Sequence, residues 1–227
     1  MAWHGMAWRW PVLVLLLFPL TAMTAMTDPL IDPLNDPLST AEARFGALHS
    51  YQVTLRSTDA AGAREVIRYF FRKPGWVRME FEQPHRGAVL VYAPDTRRVR
   101  LWPFGLGHWP ELNLVPDHPL LRNPRGHRAD RSDVGVLLAD LRRLGERGST
   151  TPLGDAELAG RPATGLEITG PAGGAAGAVQ RYRVWLAQGT AFPLCVDSFA
   201  ANGKLIESVD MGDARIDVPF PEHFFAP

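Results

Sequence analysis

Between Tyr51 and Leu101 apolar and polar residues alternate in five runs separated by turn residues. Val77, Met79 and Phe81 alternate with Arg78, Glu80 and Glu82, so a strand there has one apolar face and one charged face. Val53 and Leu55 stand among Gln52, Thr54 and Arg56, and Val99 and Leu101 beside Arg98 and Arg100. Two runs are more apolar: Ile67, Tyr69 and Phe71 alternate with Arg68, Phe70 and Arg72, and 87–93 is almost wholly apolar. Residues 59–62, 73–75, 83–87 and 94–96 hold the Asp, Pro and Gly that tight reversals favour. The pattern predicts an antiparallel meander whose apolar face must be covered.

From Pro103 to Arg131 no period survives, because eight prolines and glycines interrupt it, among them Pro103, Gly105, Pro110 and Pro124. The segment still carries Phe104, Leu106, Trp109, Leu120 and Leu121, so it is expected to be a lid that gains its burial by docking. Ser132 is expected to cap a helix that places Val134, Leu137, Leu138, Leu141 and Leu144 on one face and ends at Gly145 or Gly148. An earlier short helix is expected from Ser39, where Ser39-Thr40-Ala41-Glu42 has capping-box spacing. Strands resume after the second helix: 155–159, 163–169, 180–187, 194–199 and 204–211, with a last short one at Ile216 and Val218. Asn202-Gly203 marks a hairpin. The fold class is therefore mainly β (α+β): about ten antiparallel strands, a sheet large enough to curl, with helices and a loop lid on its concave side.

Ahead of this domain, Arg9 precedes an apolar stretch, 12–20, bracketed by Pro11 and Pro19. The stretch is about half of the ~20 residues a spanning helix needs, so residues 1–26 read as an export signal, either cleaved or retained as an N-terminal anchor. Asp-Pro-Leu then recurs through 28–38, and residues 27–38 read as an extended tether, leaving 39–227 as the domain. Basic and acidic residues balance at 24 each, which gives no electrostatic case for nucleic acid. The single cysteine, Cys195, excludes an internal disulfide and sits in an apolar strand as a small hydrophobe. His108, Asp117, His118, His127, Asp130 and Asp133 are the one His/Asp concentration, but none pairs at metal-ligand spacing on a defined element. With no nucleophile elbow, phosphate loop or dinucleotide fingerprint, the expectation is a non-enzyme with no catalytic residues, metal or cofactor.

Tyr69-Phe70-Phe71-Arg72-Lys73-Pro74-Gly75-Trp76-Val77-Arg78-Met79-Glu80-Phe81, then Gln83-Pro84 and Val89-Leu90-Val91-Tyr92, resembles the LolA-like periplasmic lipoprotein carrier and outer-membrane lipoprotein-sorting superfamily. The order continues through a capped helix, Gly160-Arg161-Pro162, Val184-Trp185-Leu186, Asn202-Gly203 and Phe224-Phe225, over roughly residues 40–227. The resemblance implies an incomplete antiparallel barrel with an apolar cavity for acyl chains. Its candidate lining is Val53, Leu55, Ile67, Tyr69, Phe71, Val77, Met79, Phe81, Val99 and Leu101. Lid contacts fall on Lys73, where typical carriers have an arginine, and on Leu137, Leu138 and Leu141. Partners implied are lipid or lipoprotein acyl chains, an inner-membrane donor and an outer-membrane acceptor, in the periplasm. A lipid- or lipoprotein-sensing regulatory module and a structural envelope protein with a filled core are the alternatives.

Overall fold

Two antiparallel meanders meet at one strand. The computed structural model describes residues 36–121, 128–173 and 178–226. The expected signal over 1–26 and the tether as far as residue 35 lie outside them. The first meander runs through β1 (Ser50–Asp59), β2 (Arg64–Arg72), β3 (Trp76–Gln83), β4 (Val89–Ala93), β5 (Arg98–Trp102) and β6 (Leu112–Leu114). The second runs through β7 (Ser149–Leu158), β8 (Arg161–Thr169), β9 (Arg181–Ala187), β10 (Pro193–Phe199) and β11 (Leu205–Asp210). β1 pairs with β2 on one side and β11 on the other, giving one unclosed sheet in the order β6-β5-β4-β3-β2-β1-β11-β10-β9-β8-β7. A two-residue strand, β12 (Arg215–Ile216), pairs with the start of β1 and brings the count to twelve, two more than the sequence pattern shows.

The join on β1 relies on carboxylates where the ladder is interrupted. Between β11 and β12 the chain leaves the sheet, and Asp213 accepts the Thr54 backbone N–H at 2.8 Å. Asp217 accepts that of His49 at 2.7 Å, just before β1 begins. Each carboxylate thus satisfies an amide that would otherwise lack a ladder partner.

Two helices lie on the concave side. α1 (Pro37–Ala47) begins two residues before the expected Ser39, because Asp36 is the N-cap and Pro37 follows it at the start, where a missing N–H costs nothing. The last two residues of the predicted tether therefore belong to a helix. α2 (Val134–Arg147) is capped by Asp133, not by the expected Ser132, and ends at Gly148. The Ser132 hydroxyl instead donates to the Ala129 carbonyl at 3.0 Å. Arg142 of α2 clasps α1: its guanidinium reaches Asp36 at 2.9 Å and Glu42 at 2.8 Å.

The segment after β5 departs from the expectation of a docked lid. Leu112 and Leu114 pair with Leu101 and Val99 as β6, so its first half is a hairpin that extends the sheet, and Glu111 holds Arg100 at 2.7 Å. Phe104, Leu106, Trp109 and Val115 are exposed. The second half makes 3₁₀ turns at Pro119–Leu121 and Ala129–Arg131. The charged face expected of β3 is covered in part, together with the apolar residues on the same side of its neighbours. The C-terminal residues Phe220, Phe224 and Phe225 pack on Phe70, Val89, Val91 and Trp102. Arg78 is buried beneath them, donating to the Phe224 carbonyl at 2.8 Å and to Glu80 at 2.6 Å. Cys195 is half-buried, and burial pushes its thiol up to about 11, so it stays protonated.

Asp36 is partly buried, which alone would raise its pKa, but hydrogen bonds from Ser39, Arg142 and the Leu38 amide hold it below its ordinary 3.8. Its stabilisation is therefore complete above that value and fades as the pH falls through the lower folded value. Asp36→Ala should cost about 0.5–2 kcal/mol at neutral pH in urea unfolding, the usual worth of a cap, and the deficit should shrink in acid below the folded-state value.

Candidate functional site

The concave side chains of the first meander fall on successive cross-strand rungs. Tyr51, Phe71, Val77, Tyr92, Val99 and Leu114 share one rung, and Val53, Tyr69, Met79, Leu90, Leu101 and Leu112 the next. Leu55, Ile67 and Phe81 form a third, just before a register shift at Val66/Ile67. The first rung lies in the core that α1 joins: Phe45 meets Phe71 at 5.8 Å between ring centroids, and Tyr51 stacks on Phe71 at 5.0 Å. Beyond it the sheet outruns its cover. A cavity of about 600 Å³ opens over the second and third rungs.

Seven of the ten candidate lining residues border this cavity: Val53, Leu55, Ile67, Tyr69, Met79, Phe81 and Leu101. Phe71, Val77 and Val99 are on the same face but in the packed first rung, with no lining role. Of the lid contacts, Leu137 borders the cavity, while Leu138 and Leu141 are fully buried between α2 and the sheet. Lys73 does not touch α2 in a polar contact. Its ammonium donates to the carbonyls of Phe45 and Gly46 and lies 5.5 Å from the Phe45 ring, so it caps the C-terminus of α1. It reaches the cover indirectly, since α1 is clasped to α2.

α2 is seated by two tyrosines that rise from the sheet. The Tyr51 hydroxyl accepts the Val134 backbone N–H at 3.2 Å, satisfying a free amide of the first turn. The Tyr69 hydroxyl lies 3.0 Å from Ser132 Oγ. Since the single Ser132 proton goes to Ala129, the phenol is the donor. Burial pushes both phenols well above their ordinary value, so both stay protonated and Tyr69 keeps the proton it donates.

No protein-family model matches the sequence, and no curated protein matches it. Solved structures do match. An uncharacterized conserved protein from Thermus thermophilus superposes with a TM-score of 0.53 at 12% identity, over 86% of this chain and 94% of that one. A chain of the Pseudomonas aeruginosa MucA/MucB complex gives 0.52 at 17% identity, over 82% of this chain and 60% of that one. The Mycobacterium tuberculosis lipoprotein LppX gives 0.50 at 15% identity, over 82% and 95%. The fold is LolA-like.

In this LolA-like half-barrel the second meander supplies the opposite cavity wall, with Tyr182, Val196, Ser198, Ile206, Glu207, Val209 and Met211. None of these was among the sequence candidates. Val196 and Val209 pair directly across β10 and β11 and extend an alternation that the sequence does show. Ser198, Ser57 and Glu207 carry no such signal, because a polar residue in a strand reads as outward-facing. All three are nonetheless buried on the cavity side. Burial raises the Tyr182 pKa, and Asp140 and Glu207 add to it. The lining is thus mainly apolar, with Ser57, Ser198 and Glu207 as buried polar exceptions, and Glu65, Arg128, Arg131, Asp133 and Asp140 add charged side chains to it. Among the described residues no group of three or more His, Cys, Asp or Glu side chains could hold a metal ion.

Tyr69→Phe removes the donor to Ser132 while keeping the ring. We expect a loss of about 0.5–1.5 kcal/mol in unfolding free energy and faster amide exchange in the first turn of α2, measured by mass spectrometry, with the β2 and β3 amides little changed.

Proposed function

We propose that the chain is a periplasmic carrier that holds the acyl chain of a lipid or lipoprotein in the half-barrel cavity and passes it between envelope partners. The observation that carries this reading is the cavity of about 600 Å³ over the second and third rungs, floored by Val53, Tyr69, Met79, Leu90 and Leu101. Ligand pockets span roughly 300–1,000 Å³ and bury most of the ligand in apolar walls with a few polar groups that orient it. An acyl chain fits this division, its methylenes on the floor and its headgroup among the charged side chains.

The energetics favour retention with controlled release. Each methylene removed from water is worth about 0.8 kcal/mol, so a ~16-carbon chain gains on the order of 12 kcal/mol gross. Part of that is offset by ordering the chain and by parting α2 from its tyrosine seats. Export to the envelope accords with the signal-like start, and a donor at the inner membrane and an acceptor at the outer membrane follow from the transfer role.

Two substitutions separate a cavity from a core. Met79→Asp places a carboxylate in the open cavity and should abolish retention of a fluorescent long-chain fatty acid while circular dichroism still reports a folded sheet. Phe71→Asp places one in the first rung, stacked against Tyr51, and should unfold the domain. Loss of structure in both variants would show that the cavity is a packed core and overturn the carrier reading. Native mass spectrometry of the purified chain should show adducts of acyl-lipid mass that organic solvent extracts.

A further inference from the structure

The cavity reaches the end of the half-barrel where the β3–β4 and β5–β6 turns lie, since His85, Ala88 and Pro103 all border it. The β5–β6 hairpin continues outward from Pro103, and its large side chains do not fold back. Trp109 is 89% exposed, Phe104 71% and Leu106 38%. Leu120, which borders the cavity itself, is 66% exposed. Four large exposed apolar residues thus stand on the two stretches, 103–109 and 119–121, that each border the cavity at Pro103 or Leu120, where single exposed hydrophobes scattered over a surface would carry no meaning.

We propose that this rim docks on a lipid bilayer, so that the apolar cavity opens directly onto the acyl phase. Three features favour a bilayer over a protein partner. Four side chains, three on the hairpin tip and Leu120 on the 3₁₀ turn that follows, are far short of the roughly 20–30 residues a side that a stable protein interface uses, whereas a bilayer needs only a few side chains to insert. A hairpin tip with Trp, Phe and Leu has the amphipathic aromatic character that settles at the headgroup level. Arg86, in the neighbouring turn, and Arg131, which borders the cavity, are exposed and form no ion pair with the described residues, which leaves them free to meet lipid phosphates. The proposal rests on the carrier reading for its purpose, because docking brings hydrocarbon to the cavity without a passage through water.

The test uses the full chain with Cys195→Ser and a single new cysteine, Leu106→Cys, carrying an environment-sensitive nitrobenzoxadiazole label. A matching label at Thr96→Cys, in the β4–β5 turn at the other end of the strands, is the reference. With vesicles of equal parts phosphatidylethanolamine and phosphatidylglycerol, the hairpin label should brighten several-fold and be quenched by nitroxide lipid, while the reference label stays wet. Adding Phe104→Ser and Trp109→Ser should weaken vesicle binding about a hundredfold or more, since each aromatic buried in the bilayer accounts for roughly a tenfold gain. A hairpin label that stays wet on vesicle-bound protein would overturn the proposal. So would a label that becomes buried without vesicles as protein concentration rises, which would mean a second copy covers the rim. Retention of the fluorescent fatty acid without vesicles reads the cavity alone: its loss with hairpin insertion intact would sink the carrier reading, and the converse would sink docking.

Discussion

A curled sheet of eleven successive strands is on the order of 50 Å across, at about 4.8 Å per strand. Its concave face is apolar by alternation and must be kept from water. The cover consists of α1, eleven residues, and α2, fourteen, which at 1.5 Å per residue are about 16 and 21 Å long. Two such helices cannot roof the whole face. They pack directly on the end that holds the Tyr51–Phe71–Val77 rung and only partly cover the following rungs, so the cavity follows from the ratio of sheet to helix. The placement of the cover is then decided by a few polar contacts: Tyr51 and Tyr69 seat the start of α2, Arg142 binds α1 to it, and Lys73 holds the end of α1.

This division explains which parts of the site were legible beforehand. A period of two tells which face a side chain takes, and every one of the ten candidate residues does face the concave side. It does not tell which rung lies under a helix. That depends on where α1 and α2 come to rest, and so Phe71, Val77 and Val99 are core while Met79, Phe81 and Leu101 line the cavity. Leu90 was hidden for a different reason, since an unbroken apolar run such as 87–93 shows no alternation from which to read its face. Glu207 and Ser57 were illegible because polar residues on strands are by default outward.

The capping positions show the same limit at a smaller scale. Ser132 and Ser39 both have the chemistry of an N-cap, yet Asp133 and Asp36 take that role. Their carboxylates reach the first-turn amides, while the two serine hydroxyls are drawn into other contacts, to Ala129 and to Asp36. The apolar segment after β5 was expected to bury its side chains because hydrophobic residues favour burial. Leu112 and Leu114 became half-buried by adding a strand, and the hairpin tip stayed exposed. The C-terminal aromatics, by contrast, roof the convex face, so Arg78 sits under Phe224 with its guanidinium 4.3 Å from the ring centroid.

The join between the meanders also has a kinetic consequence. β1 is made early in the chain, but its partners β11 and β12 come near the end, after the whole of the second meander. Until they arrive, one edge of β1 carries unpaired amides and carbonyls, and the first meander is a half-sheet with an open seam. A contact between such distant segments requires a large loop to close, which makes it slow compared with the hairpins on either side. The seam is therefore expected to form after the hairpins on either side of it. For the export proposed above such a delay would be useful: the hairpins could flicker, but nothing would lock them together until β11 and β12 had followed.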